Sequence, residues 1–234
     1  MKTRVDKILS NSNIFTRSEA KKAISKRRIT VNGEIIKASD LKIDENDILA
    51  VDGIPVARET YSYIMMNKPE GYVCSTDDPK SPIVFSLLSE NHYRKDFFTV
   101  GRLDKNTVGL VLITNDGKLA HDLLSPKKHI EKKYYFKLKF PLKGTEADAF
   151  TSGILLDDEK ITKPAKLYAE KGENDGYLII TEGKFHQVKR MFEAVHNKVV
   201  FLQRVEFAGL PLDPALKSGE YRFLTEIEIE KLKS

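Results

Sequence analysis

The run Val108-Gly109-Leu110-Val111-Leu112-Ile113-Thr114 has the length and apolar character of a strand, and what flanks it constrains the chain more than any other feature. Before it stands the polar loop Gly101-Arg102-Leu103-Asp104-Lys105-Asn106-Thr107, and after it the turn signal Asn115-Asp116-Gly117. A loop, strand and turn in this order commit the region to a sheet and place one carboxylate, Asp104, at the mouth of a strand. An Asp beside an Arg is ordinarily a surface ion pair. Here it lies between two glycines, in a loop that reads as built to present the acid.

At 234 residues the chain is long enough for one large domain with a small appendage. Its longest apolar stretches, such as Leu110 to Ile113, fall far short of a bilayer span, so no membrane partner is expected. The opening Met1-Lys2-Thr3-Arg4-Val5-Asp6 carries no continuous apolar segment, which makes a cytoplasmic location the expectation. Cys74 is the only cysteine, so an internal disulfide and a multi-thiolate metal site are excluded, and packing is its expected role. The five histidines lack a His-Glu-x-x-His pattern, and the chain contains no phosphate-loop signature. Neither a metal nor another cofactor is expected. With no exposed heptad or evident interface pattern, the expectation is a monomer.

Charge is unevenly distributed. The first thirty residues carry nine basic and two acidic side chains, a net of +7, whereas the rest of the chain nets −2. Such a block fits either a polyanion-binding surface or a solvated basic arm. Periodicity decides between them. Val5, Ile8 and Leu9 fall at helical spacing before Ser10-Asn11-Ser12-Asn13 breaks the pattern. Thr16-Arg17-Ser18-Glu19 then has the form of a capping box ahead of Ala20, Ala23 and Ile24. Ile29 to Val31 and Glu34 to Ile36 flank Asn32-Gly33, a dipeptide suited to a tight hairpin. Two helices, a hairpin and closing strands between Asp40 and Pro55 make a folded module at residues 1–56, followed by a polar linker at 57–61.

From residue 62 to 234 the pattern becomes short strands with turn signals and few helices. The expected class is therefore α+β, a mostly antiparallel mixed sheet with flanking helices. Strands are expected at Tyr63 to Met66, Val108 to Thr114, Tyr134 to Phe140 and Tyr177 to Thr181, and helices at Lys118 to Leu124 and Glu146 to Phe150. His186 to His196 reads as a further helix, with Val188, Met191, Phe192 and Val195 on one stripe. On its wheel Lys189 lies near that stripe and Arg190 almost opposite. The pattern assigns Lys189 to a cleft and Arg190 to solvent or phosphate.

The front module resembles the αL RNA-binding motif found in a ribosomal small-subunit protein, a tyrosyl-tRNA synthetase and many RNA-modifying enzymes. Arg4-Val5-Asp6-Lys7, Ser18-Glu19-Ala20 and Val31-Asn32-Gly33 carry that likeness. In the larger module Asn67-Lys68-Pro69-Glu70-Gly71, the Gly101 to Gly117 run, and Glu182-Gly183-Lys184-Phe185-His186-Gln187-Val188-Lys189-Arg190-Met191-Phe192 resemble the successive motifs of RsuA-type pseudouridine synthases. The segment from His186 to Phe192 is most similar to the branch that modifies uridine 516 of 16S rRNA. Asn106, Val108 and Lys184-Phe185 depart from the residues usual in the family at those places.

The resemblance implies that Asp104 is the catalytic residue, that Tyr134 packs on the target base, and that Lys189 pairs with the aspartate. It also implies substrate contacts from Arg102, Lys68, Arg190 and Leu202. Arg4, Arg17, Lys21, Lys22, Arg27 and Arg28 are expected to touch RNA phosphates. The implied partner is 16S rRNA within an assembling small subunit. Such chemistry breaks a sugar-to-nitrogen bond and remakes it to carbon, with the aspartate as nucleophile or as base, and needs neither redox step nor cofactor. The competing expectations are a synthase acting on 23S rRNA, a non-catalytic RNA-binding assembly factor, and a glycoside hydrolase. The last lacks an obvious second carboxylate in these motifs.

Overall fold

The computed structural model describes residues 2–12, 14–44, 46–56 and 61–234, and the chain divides into two compact units, Met1–Thr60 and Tyr61–Ser234. Of the expected linker, residues 57–60 lie outside the described residues.

The first unit runs β1 (Thr3–Arg4), α1 (Val5–Asn11), α2 (Arg17–Ser25), β2 (Ile29–Val31), β3 (Glu34–Ile35), β4 (Lys42–Ile43), β5 (Leu49–Val51) and β6 (Ile54–Pro55). The capping box forms as read: Glu19 N–H donates to Thr16 Oγ1 at 3.2 Å, and Thr16 N–H donates to Glu19 Oε2 at 2.7 Å. Asn32 and Gly33 both adopt positive φ, 52° and 86°, as a two-residue turn matched to the twist of a hairpin requires. Val5, Leu9, Ala20, Ala23 and Ile24 close against Ile29, Ile43 and Leu49 in a dry core. The amphipathic pattern thus turns the basic residues of α2 outward. Arg17, Lys21, Lys22 and Arg27 are exposed. Arg4 and Arg28 are engaged within the unit, Arg4 by Asp6 at 2.7 Å and Arg28 by Asp52 at 2.5 Å.

The second unit is built on one sheet. Its elements are β7 (Tyr63–Lys68), β8 (Phe98–Val100), β9 (Val108–Thr114), α3 (Gly117–Leu124), β10 (Lys132–Leu138), α4 (Glu146–Ser152), β11 (Lys166–Tyr168), β12 (Asp175–Ile180), α5 (Gln187–Ala194), β13 (Val199–Phe207), β14 (Leu210–Pro211), β15 (Tyr221–Phe223) and α6 (Glu226–Lys233). The main strand order is β11-β12-β10-β13-β9-β7-β15, with β8 on β9 and β14 on β13. Among the described residues β13 and β9 form the parallel pair and the other ladders are antiparallel. The expected α+β class with a mixed, mostly antiparallel sheet is what the chain adopts.

Strands β7 and β9 are covered on both faces. Ile64, Met66, Val111 and Ile113 face a core shared with Phe136, Val188 and Phe192, while Met65, Leu110 and Leu112 face Leu119, Leu123 and Phe207. Two-sided burial explains why these strands read as unbroken apolar runs instead of alternating ones. Helix α5 seats Phe192 between Phe136 and Phe150, at ring distances of 4.7 and 5.1 Å. The parallel contact between β9 and β13 depends on Gly109. With φ at 98°, a Cβ there would stand 2.3 Å from the Arg204 carbonyl oxygen, so no side chain is accommodated.

Candidate active site

Asp104 sits on the loop leading into β9, and that loop is fastened from below. Lys68, at the end of β7, is 0% exposed, and its ammonium donates to the carbonyl oxygens of Thr107 at 2.8 Å, Pro69 at 3.1 Å and Lys105 at 3.2 Å. Gly71 N–H adds a bond to Lys105 O at 2.9 Å, so the Asn67–Gly71 motif clasps the loop that carries the acid. Arg204 of β13, also buried, donates from Nε to Leu110 O at 2.8 Å and from Nη2 to Gly101 O at 2.7 Å. Its guanidinium lies 5.0 Å from the centre of the Phe207 ring. Leu103 N–H reaches the Cys74 thiol sulfur at 3.4 Å, which gives that cysteine a packing role.

Above this base the Asp104 carboxylate is 28% exposed, bonded on one oxygen and faced by a histidine on the other. Lys189 Nζ, from α5, donates to Oδ2 at 3.0 Å, and His186 Nε2 lies 3.6 Å from Oδ1. Thr107 Oγ1 stands 3.4 Å from Oδ2, and the Lys189 ammonium also donates to Asn106 Oδ1 at 2.5 Å. His186 occupies the position before α5 in a left-handed conformation, φ 49°, which turns its ring toward the acid. The carboxylate opens into a cleft lined by Arg102, Tyr134, Leu202, Lys184 and His186 among others. Tyr134 and Leu202 are buried apolar walls, whereas Arg102 is exposed at the rim. A concave site with apolar walls on one side and a charged group on the other has the make-up of a ligand-binding recess.

Asp104, Lys189, Tyr134, Leu202 and Arg102 therefore converge, as expected from sequence. Two expected substrate contacts do not. Lys68 lies beneath the loop with its charge on backbone carbonyls, so it positions the loop and cannot touch a ligand. The Arg190 side chain, 12% exposed, is taken up by Asp157 and Asp158, and Nη1 donates to Phe185 O at 3.2 Å. The wheel placed Arg190 correctly away from the cleft, but the acidic turn it meets is remote in sequence. His186, Asn106 and Arg204 were missed as members of the assembly. A glycine inside the apolar run, Gly109, was the available signal that another backbone approaches there.

Burial pulls the Lys68 ammonium down to about 8. The folded chain thus releases this proton at lower pH than the unfolded chain, so the cost of burying the charge is full below about pH 8 and is relieved as pH rises toward the ordinary lysine value. Relative to Lys68→Met, wild-type stability in urea is expected to gain about 2 kcal/mol between about pH 7.5 and about pH 9.5. Lys132, lowered for the same reason, is common to both proteins and cancels in the difference. A flat difference contradicts the assignment.

The site is thus a carboxylate bonded by Lys189 and faced by His186, at an apolar recess in a mixed sheet. The chain belongs to the RNA pseudouridylate synthase family, whose model matches residues 62–194, and an S4 domain model matches residues 3–49. Within that family its likeness is to the RsuA type. It is 44% identical to ribosomal small subunit pseudouridine synthase A of Haemophilus influenzae, covering 98% of this chain and 99% of the relative. It is also 42% identical to the RNA pseudouridine synthase YtzG of Bacillus subtilis, covering 98% of each. A solved pseudouridylate synthase, 42% identical, superposes with a TM-score of 0.71 over 98% of this chain and 99% of that one. The chain is an RNA pseudouridine synthase.

Proposed function

We propose that this synthase converts one uridine of 16S rRNA, at the place corresponding to uridine 516, to pseudouridine, with Asp104 as the essential catalytic residue. The observation that carries this is the Asp104 carboxylate, bonded by Lys189 on one oxygen and faced by His186 on the other, at the floor of a recess walled by Tyr134 and Leu202. The small-subunit relatives support the choice of rRNA.

A uridine stacked in RNA is out of reach of a carboxylate in a recess, so the nucleotide is everted into it, and the Tyr134 ring takes over part of the lost stacking. Asp104 then acts at the ribose, either as nucleophile on the anomeric carbon or as base toward the sugar. The bond from that carbon to N1 breaks, the base turns over within the recess, and a bond to C5 forms. The C5 proton leaves and N1 gains one, so the sum is an isomerisation with no added reactant. The Lys189 ammonium, 3.0 Å from Oδ2, orients the carboxylate within the recess. Leu202 and Tyr134 retain the detached base.

The exposed cations of the first unit supply phosphate contacts that set affinity and position, and carry no base readout. The protein works as a cofactor-free monomer in the cytoplasm, on an assembling small subunit. Replacing Lys21 and Lys22 together by Ala is expected to weaken 16S rRNA binding and reduce the slope of log affinity against log salt by about two, with kcat at saturation unchanged; filter binding across a salt series reads it. The substrate itself is tested by incubating the protein with 16S transcript and, separately, 23S transcript. Pseudouridine is expected in the first, and its appearance in 23S alone overturns the proposal.

A further inference from the structure

Phe185 stands beside the recess with 75% of its surface exposed, yet its ring is not loose. One face lies on the His186 imidazole, ring centres 3.8 Å apart and planes 18° from parallel. His186 in turn faces Asp104. The Phe185 carbonyl is gripped by Arg190, whose guanidinium is locked onto Asp157 and Asp158. On its other flank Lys184 is tied to Glu182, and its backbone N–H donates to Gln187 Oε1 at 2.8 Å. A large apolar ring therefore stands between two cleft-lining residues, Lys184 and His186, one face on the imidazole and the outer face bare. That is an unfavourable arrangement in water, but it suits a planar partner.

We propose that the outer face of Phe185 stacks on the nucleobase adjacent to the everted uridine. Resting on the synthase activity, the inference adds a positioning contact outside the reaction centre: the ladder Asp104, His186, Phe185 leads from the acid to the strand that stays behind. Eversion breaks the stacking of the target with its neighbours, and an aromatic face beside the recess replaces it on one side and holds the gap open. Stacking tolerates any base identity, so Phe185 contributes affinity and registration, not sequence choice. Arg190 serves this shelf by holding its backbone.

The test uses the full-length protein and a 16S rRNA fragment carrying 5-iodouridine on either side of the modified uridine. Irradiation is expected to cross-link one flanking position to Phe185 itself. With the unsubstituted fragment, Phe185→Ala is expected to raise KM roughly 5- to 100-fold, with kcat within about threefold of wild type and Phe185→Tyr restoring KM. An unchanged KM, absence of a cross-link at residue 185, or a fall in kcat at constant KM overturns the proposal; the last would mean that the ring acts only through His186. A wild-type protein that forms no pseudouridine from 16S rRNA counts against the substrate proposed above. The cross-link is read on bound RNA before turnover and decides the stacking separately.

Discussion

Asp104→Asn is expected to lower kcat on 16S rRNA at least ~10³-fold while leaving the fold and RNA affinity essentially intact. The amide is nearly the same size as the carboxylate, and the loop beneath is held by Lys68, Gly71 and Arg204, none of which bonds the Asp104 side chain. What is lost is the negative charge that Lys189 and His186 face and that the proposed chemistry at the ribose uses. Single-turnover assays with excess enzyme separate this from weakened binding. A variant retaining more than about a tenth of the wild-type rate would remove Asp104 from the chemistry.

Arg204→Met is expected to cost about 2–4 kcal/mol of stability, because the buried Leu110 carbonyl and the half-buried Gly101 carbonyl lose their charged donor. Both belong to the segment that presents Asp104, so the damage reaches the site as well as the core. At temperatures where the variant stays folded, kcat is expected to fall with it. Urea denaturation measures the first effect, and a loss below about 1 kcal/mol would show that the guanidinium is not a structural tie.

What the sequence revealed and what it hid follow one physical division. The capping box at Thr16, the Asn32-Gly33 hairpin, the stripe of α5 and the strand β9 are decided by residues within a few positions of one another, and each folds as its local chemistry dictates. Lys189 was legible because helical periodicity set its direction and the motif supplied its partner. Lys68, by contrast, is a charged residue closing an apolar strand, which the resemblance places against substrate. Only the loop laid over it, 37 and 39 residues further on, buries it. Arg204 is tied to carbonyls 94 and 103 residues away, and Arg190 to an acidic turn about thirty residues earlier. His186 reaches Asp104 through a left-handed backbone conformation uncommon for a residue other than glycine. Residues whose roles depend on tertiary contacts carry no periodic signal, and none of these four roles is legible in the local pattern.

The most direct test of the account is to map pseudouridine across rRNA from cells whose chromosomal copy carries Asp104→Asn. One modified position in 16S rRNA should vanish while every 23S position persists. A 16S profile identical to that of the parent strain, or loss confined to 23S, would contradict it.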